Sequence, residues 1–258
     1  MRKKIAAGNW KMNTTFEGGK QLINEIIGGL AANPPKQSPE EMLVVLGTPF
    51  ITLKKAANLV KNQPQIKIAA QNCYSEEKGA FTGEISVEMI KSTGAEFIII
   101  GHSERREYFN ESFEMLAKKV DLTLKHGLTP IFCCGEKLET REANQHFELV
   151  KNQIAGSLFH LNADELGKVV IAYEPVWAIG TGVTASPAQA QEMHAFIRNT
   201  IAGKYGKALA DDISILYGGS VGAKNAQELF SQPDVDGGLV GGASLKAEDF
   251  VTIINSFN

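Results

Sequence analysis

Cysteine is scarce in this sequence, with three among 258 residues, at Cys73, Cys133 and Cys134. An odd count excludes a disulfide framework in which every cysteine is paired. Two of the three are adjacent in the apolar run 131–134, where an inert buried thiol is the expected state. Free buried thiols suit a reducing compartment, so we expect a soluble cytoplasmic protein.

Long hydrophobic runs and a surplus of charge of one sign are also absent. No apolar stretch approaches the length needed to span a bilayer. The basic residues at positions 2–4 are followed by Gly8-Asn9-Trp10-Lys11 rather than by the apolar core of a signal peptide. The net charge of −3 provides no general attraction to polyanions. We therefore expect neither nucleic acid nor a membrane as a partner.

Clustered metal-binding and nucleophile motifs are missing as well. The five histidines are scattered, without an HExxH pattern or a histidine–carboxylate cluster at ligand spacing. Neither Cys133 nor Cys134 has a histidine partner within its motif. The sequence thus gives little support to serine or cysteine nucleophiles, metals or redox cofactors. We expect acid–base chemistry that needs no cofactor.

What the sequence does contain is a regular alternation of short apolar runs and longer amphipathic stretches. Most of the apolar runs lack polar alternation, which is typical of parallel strands covered on both faces. Eight strand–helix units without a linker predict one (β/α)₈ barrel domain spanning residues 1–258. A doubly wound open sheet is the alternative, but its GxGxxG motif does not follow the first strand. The predicted strands are 4–8, 42–46, 66–70, 97–100, 129–133, 169–173, 213–217 and 238–240; the predicted helical stretches are 18–30, 52–61, 113–126, 137–161, 187–202, 223–231 and 247–255.

The segment AYEPVWAIGTG, residues 172–182, is the most informative in the chain. The predicted strand in this segment ends at the carboxylate Glu174. The next residue is Pro175, which has no backbone N–H to continue the hydrogen-bond ladder. Apolar side chains follow in a loop that ends in glycine, which suits a lid that buries them when it closes. A surface carboxylate at a strand end is the alternative. Since a lid would strip water from Glu174 and raise its basicity, we interpret Glu174 as a general base.

Other polar residues follow the ends of other predicted strands, where a barrel carries its active site. His102 precedes a predicted helix start, whose positive end should depress its pKa and favour a neutral imidazole that donates to a carbonyl. Lys11 would supply a cation for an anionic substrate, and Asn9 would hold the lysine or donate to the same oxygen. A packed histidine and a solvated lysine are the alternatives at these positions.

Glycines follow the last three predicted strands. Gly180, Ser220, Gly241 and Gly242 stand in loops whose backbone amides can approach phosphate oxygens, and residues 243–245 could add a helical turn. Barrel phosphate sites use the loops after strands seven and eight. Two successive strand ends with such glycines predict a phosphate site.

Six motifs together resemble the triosephosphate isomerase family: AGNWKMN (7–13), GHSERR (101–106), CGE (134–136), AYEPVWAIGTG (172–182), YGGSV (217–221) and GGASL (241–245). The resemblance covers the whole chain, with matching order and spacing. It implies a glycolytic and gluconeogenic isomerase that interconverts dihydroxyacetone phosphate and D-glyceraldehyde 3-phosphate through an enediolate, without a cofactor. Residues 33–39 and 222–224 depart slightly from the pattern of the family, and neither segment contains a residue to which a role is assigned.

Specific roles follow from the resemblance. It implies that Asn9 and Lys11 bind substrate, that His102 is the electrophile and that Glu174 is the base. It also implies that Glu104 orients Lys11 and that the phosphate is held by Gly180, Ser220, Gly241 and Gly242. A different phosphosugar barrel enzyme would lack the pair of motifs around His102 and Glu174, and a non-catalytic barrel would lack Glu174 or Lys11.

A long connection predicts how the chain assembles. The 14 residues from Gln71 to Glu84 show little regular pattern and include Cys73, Tyr74 and Phe81, which should not face water in a loop tip. The loop could fold over its own barrel. The resemblance favours a homodimer in which the loop docks near the active site of its neighbour.

Overall fold

The computed structural model describes residues 2–179 and 184–257, and the statements below concern those residues. They form eight parallel strands that hydrogen-bond in sequence order and close into a barrel, with β8 paired to β1. The strands are β1 (Lys4–Asn9), β2 (Met42–Thr48), β3 (Ile66–Ala70), β4 (Phe97–Ile100), β5 (Thr129–Glu136), β6 (Val170–Pro175), β7 (Ile215–Tyr217) and β8 (Gly237–Val240). The predicted (β/α)₈ barrel is confirmed.

Helices surround the barrel and connect its strands. Those within the described residues are α1 (Phe16–Ala32), α2 (Phe50–Leu59), α3 (Val87–Thr93), α4 (Ser103–Tyr108), α5 (Phe113–Lys125), α6 (Leu138–Glu142), α7 (His146–Leu158), α8 (Ala163–Leu166), α9 (Pro187–Tyr205), α10 (Lys207–Asp212), α11 (Ala226–Phe230) and α12 (Ala247–Ile254). Two 3₁₀ turns, Val176–Ala178 and Gly242–Leu245, follow β6 and β8. None of the helices in these residues is long and apolar enough to cross a membrane.

Side chains alternate between two hydrophobic clusters along each strand. One cluster fills the barrel and includes Ile5 and Ala7 of β1 and Val170 and Ala172 of β6. The other packs the outer faces of the strands against the helices. Because the period of a strand is two residues, the next inward position on β1 is Asn9 and the next on β6 is Glu174. Alternation therefore places both polar side chains at the carboxyl end of the barrel interior.

Some predicted boundaries were wrong. Strand β6 continues through Glu174 to Pro175, which pair in register with Gly135 and Glu136 of β5. A proline is tolerated there because the strand ends at that residue. The stretch 137–161 was predicted as one amphipathic unit, but it contains α6 and α7. Asn144, with φ 55°, interrupts the helical conformation between them.

The loops agree with the sequence patterns. Helix α9 begins with Ser186 as N-cap, and Gln189 completes a capping box, which the sequence Ser186-Pro187-Ala188-Gln189 favours. Residues 33–39 form the connection between α1 and β2, as expected, and Gln37 donates to the carbonyl of Phe257 across 3.2 Å. Residues 71–84 contain neither helix nor strand. Within this loop Cys73 is buried and Phe81 is exposed.

Candidate active site

A cavity of about 320 Å³ opens at the carboxyl end of the barrel. Most of the predicted site residues line it: Asn9, Lys11, His102, Glu174, Ser220, Gly241 and Gly242. Gly180, the remaining predicted phosphate-binding residue, lies outside the described residues. The cavity is thus where the carboxyl ends of β1, β4, β6, β7 and β8 bring together residues from across the chain.

Glu174 is buried, with 2% of its side-chain surface exposed. Its Oε1 lies 2.9 Å from Nε2 of His102, and its Oε2 accepts a hydrogen bond of 2.9 Å from the backbone N–H of Ser103. A buried carboxylate is costly unless such donors satisfy it. These two contacts hold the carboxylate at the start of α4.

His102 is the N-cap of α4, and its Nδ1 accepts from the backbone N–H of Glu104 at 3.2 Å. A nitrogen that accepts carries no proton, so this bond favours the neutral tautomer with its proton on Nε2. Burial lowers the pKa of His102, but the charge of Glu174 and its hydrogen bond to the ring outweigh burial and raise the pKa above its usual value. The predicted depression of this pKa by the helix end is therefore wrong while Glu174 touches the ring.

Lys11 lies beside His102 in a strained loop. Its φ of 53° is in the left-handed region, and its backbone N–H donates to Oδ1 of Asn9 at 3.0 Å. Its Nζ is 2.7 Å from Oε1 of Glu104. A side chain on Gly241 would come within 3.8 Å of the lysine Cε, so the ammonium group lies close to the glycine loops. The turn at Asn9 and the carboxylate of Glu104 together fix the direction of the lysine.

The loops after β7 and β8 form the opposite wall. A Cβ on Gly218 would approach Cγ of Glu174 to 2.9 Å, so this glycine makes room for the carboxylate. A Cβ on Gly242 would have no neighbouring heavy atom within 4 Å. The 3₁₀ turn that begins at Gly242 includes the predicted helical turn at residues 243–245. The Ser220 hydroxyl, expected as a phosphate donor, instead donates to the carbonyl of Ala178 at 2.6 Å.

Glu136 supports the segment that follows Glu174, and the sequence did not reveal it. Its fully buried Oε1 accepts from the Tyr173 hydroxyl at 2.9 Å, from Nε1 of Trp177 at 3.0 Å and from Nη1 of Arg141 at 3.2 Å. These contacts anchor the first residues of the loop after β6. The CGE motif contains Glu136, but a motif does not say which side chains its carboxylate will meet.

The arrangement can move a proton beside a carbonyl. It places a carboxylate, an imidazole, an ammonium group and glycine loops around one small cavity. In the described part of the chain, no group of three or more histidine, cysteine or acidic side chains is placed to hold a metal ion. The fold and the site define a (β/α)₈-barrel enzyme of the acid–base class. Comparison with known proteins narrows this class: the triosephosphate isomerase family model matches residues 4–257. The chain belongs to the triosephosphate isomerase family.

Relatives of this family resemble the chain over its full length. A triosephosphate isomerase of Bacteroides fragilis is 56% identical over 258 residues, which is 100% of both chains. One from Cytophaga hutchinsonii is 54% identical over the same length and coverage. One from Flavobacterium johnsoniae is 51% identical over 256 residues, covering 99% of this chain and 100% of the relative.

Proposed function

We propose that this chain, folded as a single barrel domain, interconverts dihydroxyacetone phosphate and D-glyceraldehyde 3-phosphate by proton transfer through an enediolate. The observation that carries the proposal is the contact of 2.9 Å between Glu174 and His102 inside the cavity of a triosephosphate isomerase family member. A carboxylate base and a neutral hydrogen-bond donor are the two groups that this reaction requires.

Substrate binding follows from the two walls of the cavity. The phosphate group lies against the loops of Ser220, Gly241 and Gly242, with Gly180 as a further binding residue. The carbonyl and hydroxyl oxygens face Asn9, Lys11 and His102. Glycine amides can approach the phosphate closely, and the lysine adds a positive charge. Glu104 orients Lys11 by the contact of 2.7 Å described above.

In the proton transfer, Glu174 leaves His102 and Ser103 and turns to the carbon beside the carbonyl. It removes a proton, the C–H electrons form the double bond of the enediolate, and the carbonyl oxygen gains negative charge. Nε2–H of His102 and Nζ of Lys11 stabilise that oxygen. The hydroxyl proton on the deprotonated carbon then moves to the former carbonyl oxygen. Glu174 returns its proton to the former carbonyl carbon, the double-bond electrons form that C–H bond, and the deprotonated carbon becomes the new carbonyl. Because Glu174 no longer touches the ring, the main cause of the raised pKa of His102 disappears and the neutral imidazole is favoured. No step uses a cofactor.

The variant Glu174→Gln tests the base. The amide has the same shape but cannot accept the proton, so kcat should fall by at least about 10²- to 10⁴-fold, with binding of a phosphorylated analogue nearly intact. A coupled isomerase assay on the purified protein gives the rate, and titration calorimetry gives the binding. Glu148→Gln, on the exposed face of α7, is the matched control. A Glu174→Gln variant with more than about a tenth of the wild-type kcat contradicts the assignment.

We also propose that the protein is a homodimer in the cytoplasm. Seven of the eight large hydrophobic side chains that are exposed in the described residues follow the ends of β1 to β4: Met12, Phe16, Ile51, Phe81, Met89, Tyr108 and Phe109. Since these strands are neighbours, the seven residues share one side of the barrel, which supports a protein–protein contact there. The free buried thiols of Cys73, Cys133 and Cys134 support a reducing compartment.

Light scattering tests the dimer. The wild type should have twice the chain mass of 27.9 kDa at micromolar concentration. Phe81→Asp places a charge in the proposed contact and should shift the protein to the monomer. Leu138→Asp changes another exposed hydrophobic side chain, after β5, and should leave the mass unchanged. A wild-type mass of one chain refutes the dimer.

A further inference from the structure

Arg106 joins two neighbouring strands, β4 and β5. Its Nε donates to the carbonyl of Gly101 at 2.8 Å, immediately after β4, and its Nη2 donates to the carbonyl of Cys133 in β5 at 2.7 Å. The guanidinium also lies 5.5 Å from the centre of the Phe132 ring. The flat fork of an arginine can satisfy both carbonyls at once, which a lysine cannot do with the same geometry.

The backbone at Gly101 is shaped around this side chain. Gly101 has φ 73°, a conformation that other residues rarely adopt, and a Cβ there would come within 3.0 Å of Nη2 of Arg106. Glycine therefore serves both the left-handed turn and the close approach of the guanidinium. The next residue is His102, so the contact with Arg106 fixes the point from which the imidazole enters the site.

Arg106 also lies behind the base. A second cavity, of about 260 Å³, is lined by Arg106 and Glu174 together with Ser103, Gly135 and Val176. Glu174 thus separates this back cavity from the cavity of the active site. At the rim of the back cavity, Lys137 and Glu107 pair at 2.8 Å, so their charges compensate each other.

The charge of Arg106 has no such partner. No carboxylate oxygen of the described residues lies within 4.0 Å of its nitrogens. Burial lowers the pKa of Arg106, which the negative charge of Glu174 partly offsets, and an arginine keeps its proton at any working pH. Burial raises the pKa of Cys134 to about 12 and that of Cys133 well above its usual value, so both thiols are neutral. The charges of Glu104 and Lys11 act on His102 together with that of Glu174, and the charge of Glu111 also acts on Arg106.

We infer that Arg106 is a positioning residue for the isomerisation, because its guanidinium fixes the strand ends that carry His102 and Glu174 and supplies a fixed positive charge behind the carboxylate. The inference rests on the proposed role of Glu174 as base. Arg106 contacts β4 and β5 directly and reaches Glu174 through the pairing of β5 with β6. In that pairing, Cys133 and Gly135 of β5 lie beside Ala172 and Glu174 of β6. Loss of the fork would loosen this geometry, and loss of the charge would remove its attraction to the Glu174 carboxylate.

The variants Arg106→Met and Arg106→Lys separate geometry from charge. Arg106→Met should lower kcat by about 10-fold or more, since small displacements of reacting groups are costly. Arg106→Lys keeps the charge without the planar fork, so it should lower kcat by less than Arg106→Met does. Because the phosphate loops are untouched, KM should change by less than about 3-fold in both variants.

The outcomes are decisive in each direction. A folded Arg106→Met with kcat/KM within twofold of the wild type overturns the inference. A loss of kcat/KM that comes from KM rather than from kcat also overturns it, because displacement of His102 and Glu174 would lower kcat. If Arg106→Met does not fold, Arg106→Lys decides: wild-type kcat in that variant overturns the inference and a lowered kcat supports it. If Glu174→Gln has a low kcat and Arg106→Met has the wild-type kcat, only the role of Arg106 is refuted. If Glu174→Gln keeps a high kcat, the proposed base is refuted and this inference with it.

Discussion

The polar side chains of the site are held by contacts within the protein. Glu174 contacts His102 and Ser103, Lys11 contacts Glu104, and the Ser220 hydroxyl donates to Ala178. A buried polar group without a partner costs about 1–3 kcal/mol, so these contacts stabilise the site before substrate arrives. In the proposed mechanism Glu174 exchanges its two contacts for substrate, whereas Lys11 keeps the contact with Glu104 that orients it.

Among single residues, Lys11 can be tested with the variant Lys11→Met, which keeps much of the side-chain stem and removes the charge. Both affinity and turnover should fall, because the ammonium acts on the substrate anion and on the charge of the enediolate. A hydrogen bond to a charged group contributes about 1.5–3 kcal/mol, which predicts a 10- to 100-fold rise in KM. Steady-state kinetics and calorimetry with a phosphorylated analogue provide the measurement.

Lys151→Met, on the exposed face of α7, is the control for Lys11→Met and should behave as the wild type. Since Glu104 is partly exposed, leaving it without its lysine should cost little stability, and the variant should fold. Tight binding of the analogue by folded Lys11→Met would show that the lysine is not a substrate cation.

Among the elements, the connection between β6 and α9 has firm attachments at both ends. On one side the 3₁₀ turn Val176–Ala178 is tied to Glu136 through Trp177 and to Ser220 through Ala178. On the other side Ser186 and Gln189 form the capping box that starts α9. The predicted lid, residues 176–181, begins within the first of these attachments, and the structure describes it up to Ile179.

Shortening the lid should change the products as well as the rate. The enediolate carries a phosphate on the adjacent carbon, and elimination of that phosphate competes with return of the proton. A closed lid excludes water, and Gly180 can hold the phosphate near the enediolate plane, where orbital alignment disfavours its departure. A folded variant with residues removed from 176–181 should therefore release more methylglyoxal and free phosphate per isomerisation than the wild type.

A matched deletion separates the lid from loop shortening in general. Removing Pro34 and Pro35 shortens the connection before β2, which lies at the amino end of the barrel, away from the site. That variant should keep the wild-type product ratio. If the lid-shortened variant also keeps it, the lid affects only the rate and this prediction fails.

For the whole molecule, a buried histidine links stability to pH. His194 of α9 is fully buried beside the rings of Tyr173 and Tyr217, and its Nδ1 lies 3.2 Å from the carbonyl of Asp234. Burial lowers the pKa of His194 from 6.5 to about 3. Between these values the unfolded chain binds a proton that the folded chain excludes. The contribution to stability is therefore complete above pH 6.5 and is lost as the pH falls towards 3.

His194→Gln should flatten this dependence. The wild type should lose about 2 kcal/mol more free energy of unfolding than the variant between pH 7 and pH 5. Urea denaturation at the two pH values, at equal protein concentration, measures the difference. His160→Gln changes an exposed histidine and serves as the control. Equal losses in wild type and His194→Gln would show that His194 does not titrate in this way.

Much of the fold could be predicted because its signals are local. The apolar runs of residues 66–70 and 97–100 are strands with the predicted bounds, since a strand covered on both faces needs only a continuous apolar run. The Ser186 cap also depends on a few adjacent residues. The break at Asn144 escaped prediction because amphipathic periodicity continues across a single residue of positive φ.

The sequence by itself determined the closed barrel and the group of residues at its carboxyl end, because alternation and strand order are properties of the chain. Only the tertiary structure decided which of those residues touch. The pKa of His102 depends on Glu174, which lies 72 positions away in the chain, and the roles of Glu136 and Arg106 depend on atoms from neighbouring strands. Electrostatic and hydrogen-bond energies depend on distances of a few ångströms in space, and sequence spacing does not contain those distances.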